Sequence, residues 1–119
     1  MSGRVNIIQP KKIFDNADMS TTLTSEEIFM ERVGGFSIDM EWVTADIEGA
    51  FEIQVSNGLT WHTIPEAQLN IQGDLSVTSA DGTGFINVVD HQGYKFRVVF
   101  TPSAGTTGTL NAIIGGKAL

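Results

Sequence analysis

The stretch Gly35-Phe36-Ser37-Ile38-Asp39-Met40-Glu41-Trp42-Val43 alternates without a break, with Phe36, Ile38, Met40 and Trp42 on one parity and Ser37, Asp39 and Glu41 on the other. Successive side chains of a strand point to opposite faces, so this period of two describes a half-buried β-strand with its large apolar groups turned to a core. Ala50 to Ser56 repeats the pattern, with Phe51, Ile53 and Val55 inward and Glu52 and Gln54 outward. Ser56-Asn57-Gly58 then supplies residues tolerant of positive φ, which predicts a tight hairpin returning through Leu59 to Ile64 and closed by Pro65.

Working outward, Ala67 to Gln72 and Asp74 to Ser79 read as shorter strands around Gly73, and Asp81-Gly82-Thr83-Gly84 as a turn. Phe85 to Asp90 and Tyr94 to Thr101 form the next expected pair, joined by His91-Gln92-Gly93, with Tyr94, Phe96, Val98 and Phe100 on one face. Pro102 to Gly108 is a small-residue loop, after which Leu110, Ala112 and Ile114 alternate. The predicted core is Phe36, Ile38, Met40, Trp42, Phe51, Ile53, Val55, Phe85, Val88, Phe96, Val98 and Phe100. Val99 and Ile113 fall on the opposite parity, so the final hairpin is expected to be covered on both faces. Ser25 to Arg32 reads either as a strand or as one helical turn capped by Ser25, with Glu26 and Glu27 in its first turn. The fold class is therefore all-β: an antiparallel β-sandwich or jelly roll of about 7–8 strands with an extended N-terminal arm. The arm is residues 1–33 and the body residues 34–119.

With 119 residues, 41% of them hydrophobic, the chain is one domain large enough for a core without metal or disulfide support. It has no cysteine, which excludes thiol catalysis, disulfides and thiolate zinc sites. The amino-terminal MSGRVNIIQPKK lacks the apolar run of a secretory signal, and a soluble chain is expected. The net charge of −7 is unevenly placed. Residues 1–12 carry Arg4, Lys11 and Lys12 with no acid, residues 13–66 set eleven acids against Arg32, and residues 67–119 balance. Such a body repels phosphate backbones, so no nucleic-acid partner is expected, and no membrane partner either.

The chemical inventory is thin. His62 follows Trp61 and His91 follows Asp90, but no motif places a nucleophile beside either, and both read as surface histidines. Asp39, Glu41, Asp46, Glu48 and Glu52 cluster along one expected hairpin without the spacing of a Ca²⁺ loop and read as a solvated acidic face. The glycines at 82, 84, 105 and 108 lack the strand-to-helix context of a nucleotide fingerprint and read as turn residues. No catalytic residue, no cofactor and no metal is expected, and the chain is not expected to be an enzyme. Trp61 reads as core or edge packing ahead of a sugar-stacking platform, and Trp42 more so. The possible ligand-facing aromatics are Trp61 and Tyr94.

The segment Gly49 to Pro65, GAFEIQVSNGLTWHTIP, resembles an F-x-I/V-Q-x-S-x-D/N-G-x-x-W-x-x-I hairpin of small β-sandwich proteins. Gly93 to Ala112, GYKFRVVFTPSAGTTGTLNA, is similar to their Y-x-R-V-x-F-T-P-S-x-G-T-G-x-L ending, followed here by Gly116-Lys117. The combination resembles small virion proteins of bacteriophages, capsid-associated or tail-associated, and more loosely discoidin-like sandwiches. The resemblance implies a structural role as a head decoration, capsid-stabilising or spike-base protein in the virion, assembled in the host cytoplasm. It carries over no catalytic residue. The alternative is a carbohydrate-binding or adhesion module with a glycan as ligand. The arm has Ile7, Ile8, Ile13 and Phe14 interspersed with Arg4, Lys11 and Lys12, apolar content that a solvated tail does not need. These residues are the expected assembly contacts. They would be hosted by a neighbouring subunit, with the cations meeting acids such as Asp39, Glu41 or Glu52. The expected partners are a second copy, in a trimer ahead of a dimer, and the major capsid or another virion protein.

Overall fold

The structure, a computed structural model, describes residues 7–29, 33–89 and 94–118. Its strands are β1 (Ile7–Asp18), β2 (Leu23–Thr24), β3 (Ile28–Phe29), β4 (Val33–Thr44), β5 (Glu48–Ser56) and β6 (His62–Thr63), followed by β7 (Asn70–Gly73), β8 (Ser76–Thr78), β9 (Gly82–Val89), β10 (Lys95–Ala104) and β11 (Gly108–Ala118). The one helical element among the described residues is a single 3-10 turn at Glu66–Gln68. Sheet A has the order β1-β11-β4-β9-β7, and sheet B the order β2-β10-β5-β6, with β3 also paired to β10 and β8 to β5. Every pairing is antiparallel. The chain is an all-β sandwich, with 11 strands among the described residues where the alternation counts fewer. The surplus lies in the segment expected as an arm: β1, whose register shifts break its alternation, and β2 and β3, which at two residues each are too short to show a period.

The alternating runs meet face to face. Phe36, Ile38, Met40 and Trp42 of β4 are buried against Phe51 and Ile53 of β5 and Phe96, Val98 and Phe100 of β10. Trp42 lies 5.4 Å from Phe51, Phe51 4.8 Å from Phe100, and Phe36 5.2 Å from Phe96, centroid to centroid, so rings from both sheets interlock across the middle. Leu110, Ala112 and Ile114 complete sheet A's inner face. Val55 is only partly buried at its edge.

Several expectations are corrected by register. Phe85 and Val88 differ in parity and cannot both point inward. Pairing of Ile38 with Ile86 and of Phe36 with Val88 buries Ile86 and Val88 and leaves Phe85 on the outer side, beside Asp39. The pair expected from Phe85 to Thr101 does not exist, because β9 belongs to sheet A and β10 to sheet B. Nor do β10 and β11 form a hairpin, since the chain crosses between sheets there. Val99 does point away from the core, is flanked in register by Thr24 and Glu52, and is buried, whereas Ile113 is exposed. The expected turn at Asp81 to Gly84 is already strand from Gly82, where any Cβ would press into the Trp42 indole. The loop from Asn57 to Trp61 is wider than a tight turn, with Gly58 at φ 116°.

The N-terminal segment is not an arm apart from the body. From Ile7 onward β1 pairs with the edge of β11 that β4 leaves free, setting Phe14 opposite Ala112 and Asp18 opposite Thr109. Phe14, Met19 and Ile28 are core residues, with Ile13 packed against them. Ser25 caps no helix. Its hydroxyl accepts a hydrogen bond from the Val98 amide at 2.9 Å while its own amide donates to the Val98 carbonyl, which fastens the chain between β2 and β3 to β10.

Both sheets are locked together where β4 crosses to β5. The Thr44 hydroxyl donates to the Thr107 carbonyl at 2.6 Å and accepts from the amides of Asp46 and Ile47, so one buried group serves two crossings. The Asp46 carboxylate accepts from the amides of Thr106 and Thr107 and from the Thr106 hydroxyl. Gly105, at φ 99°, lies so close that any Cβ would collide with the Asp46 carbonyl oxygen.

Candidate functional site

The outward positions of β10 are Lys95, Arg97, Val99 and Thr101, and those of β5 are Ala50, Glu52 and Gln54. Three shorter segments bring aromatic rings onto this outer face of sheet B. Phe29 is opposite Lys95 in register and is 49% exposed. Tyr94 is 47% exposed and meets Phe29 edge to face at 5.4 Å. It is held by its amide, which donates to the Asn57 side-chain oxygen and the Ser56 carbonyl. Tyr94 is therefore not on the core face with Phe96, where parity puts it, because β10 begins one residue later.

Trp61 shares the parity of Thr63, which is opposite Gln54, and so lies on the same outer face. The Arg97 guanidinium sits 4.2 Å from the Trp61 ring centroid and the Lys95 ammonium 5.3 Å from it. Both are within the range in which a ring quadrupole attracts a cation. Arg97 Nε donates to Gln54 Oε1 at 2.6 Å, and Gln54 Nε2 donates to Glu52 Oε1 at 2.5 Å. Lys95 also pairs with Glu27 at 3.1 Å, with its side chain only 20% exposed. The result is a strip of three rings and two cations, held by polar contacts that reach across four segments of the chain.

The opposite outer face, on sheet A, is built differently. One rung runs Lys12, Ile113, Asp39, Phe85, Gln72 across all five strands. Glu41 lies two residues further along β4, between Asn111 and Thr83, and Val43 beyond it is 59% exposed. Among the described residues neither Asp39 nor Glu41 has an ion pair or a hydrogen-bonded partner on its side chain.

The expected assembly contacts disperse. Arg4 lies outside the described residues, as do the side chains of Ile7 and Ile8. Phe14 is consumed by the chain's own core and is not available to a neighbour. The two lysines pair locally, Lys11 with Glu26 at 2.9 Å and Lys12 with Asp15 at 3.1 Å, not with Asp39, Glu41 or Glu52. Lys11 and Glu26 rim a pocket of about 180 Å³ between the sheets, floored by Ile13, Ile28 and Ile114. The acids expected as one cluster are split. Asp39 and Glu41 face out from sheet A, Glu52 faces out from sheet B, and Asp46 is engaged by Thr106 and Thr107.

His62 is exposed and its Nε2 shares a 2.8 Å hydrogen bond with the Thr60 hydroxyl, while His91 lies outside the described residues. Among the described residues no group of three or more His, Asp or Glu comes together as a metal site. Phe29, Lys95 and Arg97 were missed by sequence reasoning. Their outward parity on β10 and β3 was the available signal, and only register brings them to Trp61. No protein family, curated protein or solved structure matches the chain.

Proposed function

We propose that the chain is a structural, non-enzymatic protein of a bacteriophage virion, a capsid-decorating or spike-base subunit that works through contacts with other subunits. The observation that carries this reading is the outer strip of sheet B. Phe29, Tyr94, Trp61 and Arg97 are the residue types that dominate protein–protein hot spots, and here they are partly exposed and positioned by one another. The phage-like motifs supply the same strip: Trp61 is the tryptophan of the first, and Tyr94 and Arg97 lie at the start of the second. Binding by strand addition is disfavoured. β1 carries Pro10 and three register shifts, and the edges of sheet B are strands of two or three residues. β7, the other edge of sheet A, is four residues long, so the reading rests on the faces and not on the edges.

A second reading, a glycan-binding module, is favoured by the exposed Phe29–Tyr94 pair, which adds the second aromatic that stacking on a sugar requires. Trp61 serves that reading less well, because Arg97 already lies over its ring. The test is the protein content of purified phage particles. The chain is expected there at a fixed ratio to the major capsid protein, and its absence from particles overturns the virion role. Binding of the isolated protein to a glycan array, lost in Tyr94→Ala, would move the assignment to the second reading.

A further inference from the structure

We infer that the outer face of sheet A is the docking surface for the sheet B strip of a second copy of this chain, a contact that rests on the subunit-binding reading above and names its partner. Asp39 and Glu41 stand two residues apart on β4, the central strand of sheet A. Lys95 and Arg97 stand two residues apart on β10, an interior strand of sheet B. Residues at this spacing on a strand are about 7 Å apart, so the carboxylate pair and the cation pair have the same pitch. Lys95 is already paired with Glu27, and Glu52 lies on the same face beside Gln54, so Arg97 is the cation with donors to spare.

The surroundings match as well. Asp39 is flanked in register by Ile113 and Phe85, and the cations are flanked by Phe29 and Trp61, which gives each charged pair an apolar border. Arg97 uses Nε on Gln54, and among the described residues its terminal guanidinium nitrogens have no hydrogen-bond partner. They are the groups a carboxylate takes in a forked pair. Asp39 and Glu41 offer carboxylates that are unpaired among the described residues. The complementary surfaces lie on opposite sides of one molecule, so the contact is head to tail. Such a contact closes into a ring or propagates, and it differs from a two-fold contact in which one patch meets itself. Electrostatic complementarity of this kind fixes register and suppresses wrong partners.

Sedimentation velocity on the full chain tests it. The unaltered protein should gain mass with concentration. The double variant Asp39→Lys with Glu41→Lys, and separately the variant Arg97→Glu, should each sediment as a monomer, with circular dichroism unchanged. Mixed in equal amounts, the two variants should recover assembly, because each supplies the face that the other has lost and their reversed faces carry opposite charges. An unaltered protein that stays monomeric, a variant that assembles as the unaltered protein does, or a mixture that stays monomeric overturns the proposal. Should charge reversal perturb folding, Asp39→Asn with Glu41→Asn and Arg97→Gln replace it and must weaken assembly from both sides. The two readings fail separately. Self-association of a protein missing from particles removes the virion role alone, and a particle component that never self-associates removes this interface alone.

Discussion

The two outer faces are written in the same alternating code and come out differently. On sheet B the outward residues are tied to one another: Arg97 to Gln54 and Trp61, Lys95 to Glu27 and Trp61, Phe29 to Tyr94. On sheet A the outward acids Asp39 and Glu41 stand without partners among the described residues, between apolar and neutral neighbours. Alternation tells which residues leave the core. What an outward residue then meets is decided by strands distant in sequence, as Arg97 and Gln54 illustrate across 43 positions. A wired face holds its side chains in place before a partner arrives, which lowers the entropy cost of binding. The bare face supplies charge.

The largest expected effects come from the core beneath the wired face. Phe51→Ala or Phe96→Ala should each cost about 3–5 kcal/mol in urea unfolding, because each leaves a large void among buried rings. Replacing both Asp39 and Glu41 with Ala on the bare face should change stability by no more than about 0.5 kcal/mol per site. Comparable losses at the two places would break the contrast. A loss below about 1 kcal/mol at both phenylalanines would mean that β5 and β10 are out of register by one residue.

The relative placement of the faces rests on the crossing at Thr44. Thr44→Val keeps the shape of the side chain and removes the hydroxyl, leaving the Thr107 carbonyl and the Ile47 amide without that partner. The expected cost is about 1–3 kcal/mol by thermal or chemical unfolding. An effect near zero would mean that water replaces the hydroxyl and that the crossing is looser than its geometry implies.

How far the sequence could be read follows from the same contrast. The long strands β4, β5, β10 and β11 were legible because Phe36 to Trp42, Phe51 to Val55, Phe96 to Phe100 and Leu110 to Ile114 keep period two over three or more repeats. Ile47, Met19 and Val77 were not, since each is buried from a crossing, a turn or a three-residue strand where no period can build up. β1 reads as an arm in the sequence because its bulges break its alternation, and the free edge of β11 that receives it is a property of topology. Of the site, Trp61 and Tyr94 could be named from the sequence. Their companions Phe29, Lys95 and Arg97 could not, because three separate pairings bring them together.

A smaller effect sharpens the contrast directly. Arg97→Ala should cost about 0.5–1 kcal/mol, the range for a cation over an indole at a partly exposed site. In a double-mutant cycle with Trp61→Ala a coupling of that size is expected, and the pair Asp39→Ala with Ile113→Ala should show less. Zero coupling between Arg97 and Trp61 would make the wired face as loose as the bare one.

The smallest expected effect is a pH dependence, and it concerns the crossing that joins the faces. The Asp46 carboxyl is held below the ordinary aspartate value of 3.8, chiefly by the hydrogen bond from the Thr107 amide, then by the amide and hydroxyl of Thr106. A group whose folded value is depressed binds its proton more readily in the unfolded chain. Its contribution is therefore complete above 3.8 and is lost as pH falls through the lower folded value. Asp18, lowered in the same way by Ser20, acts in the same direction, so the acid limb of the unaltered protein is not due to Asp46 alone. The difference between the unaltered protein and Asp46→Asn isolates it. Urea midpoints should differ by a constant amount from neutral pH down to the ordinary aspartate range, and the gap should narrow below it. A gap that stays constant into strong acid would show that the carboxylate charge contributes nothing to holding Thr106 and Thr107, leaving Thr44 and the close approach of Gly105 to fix the crossing.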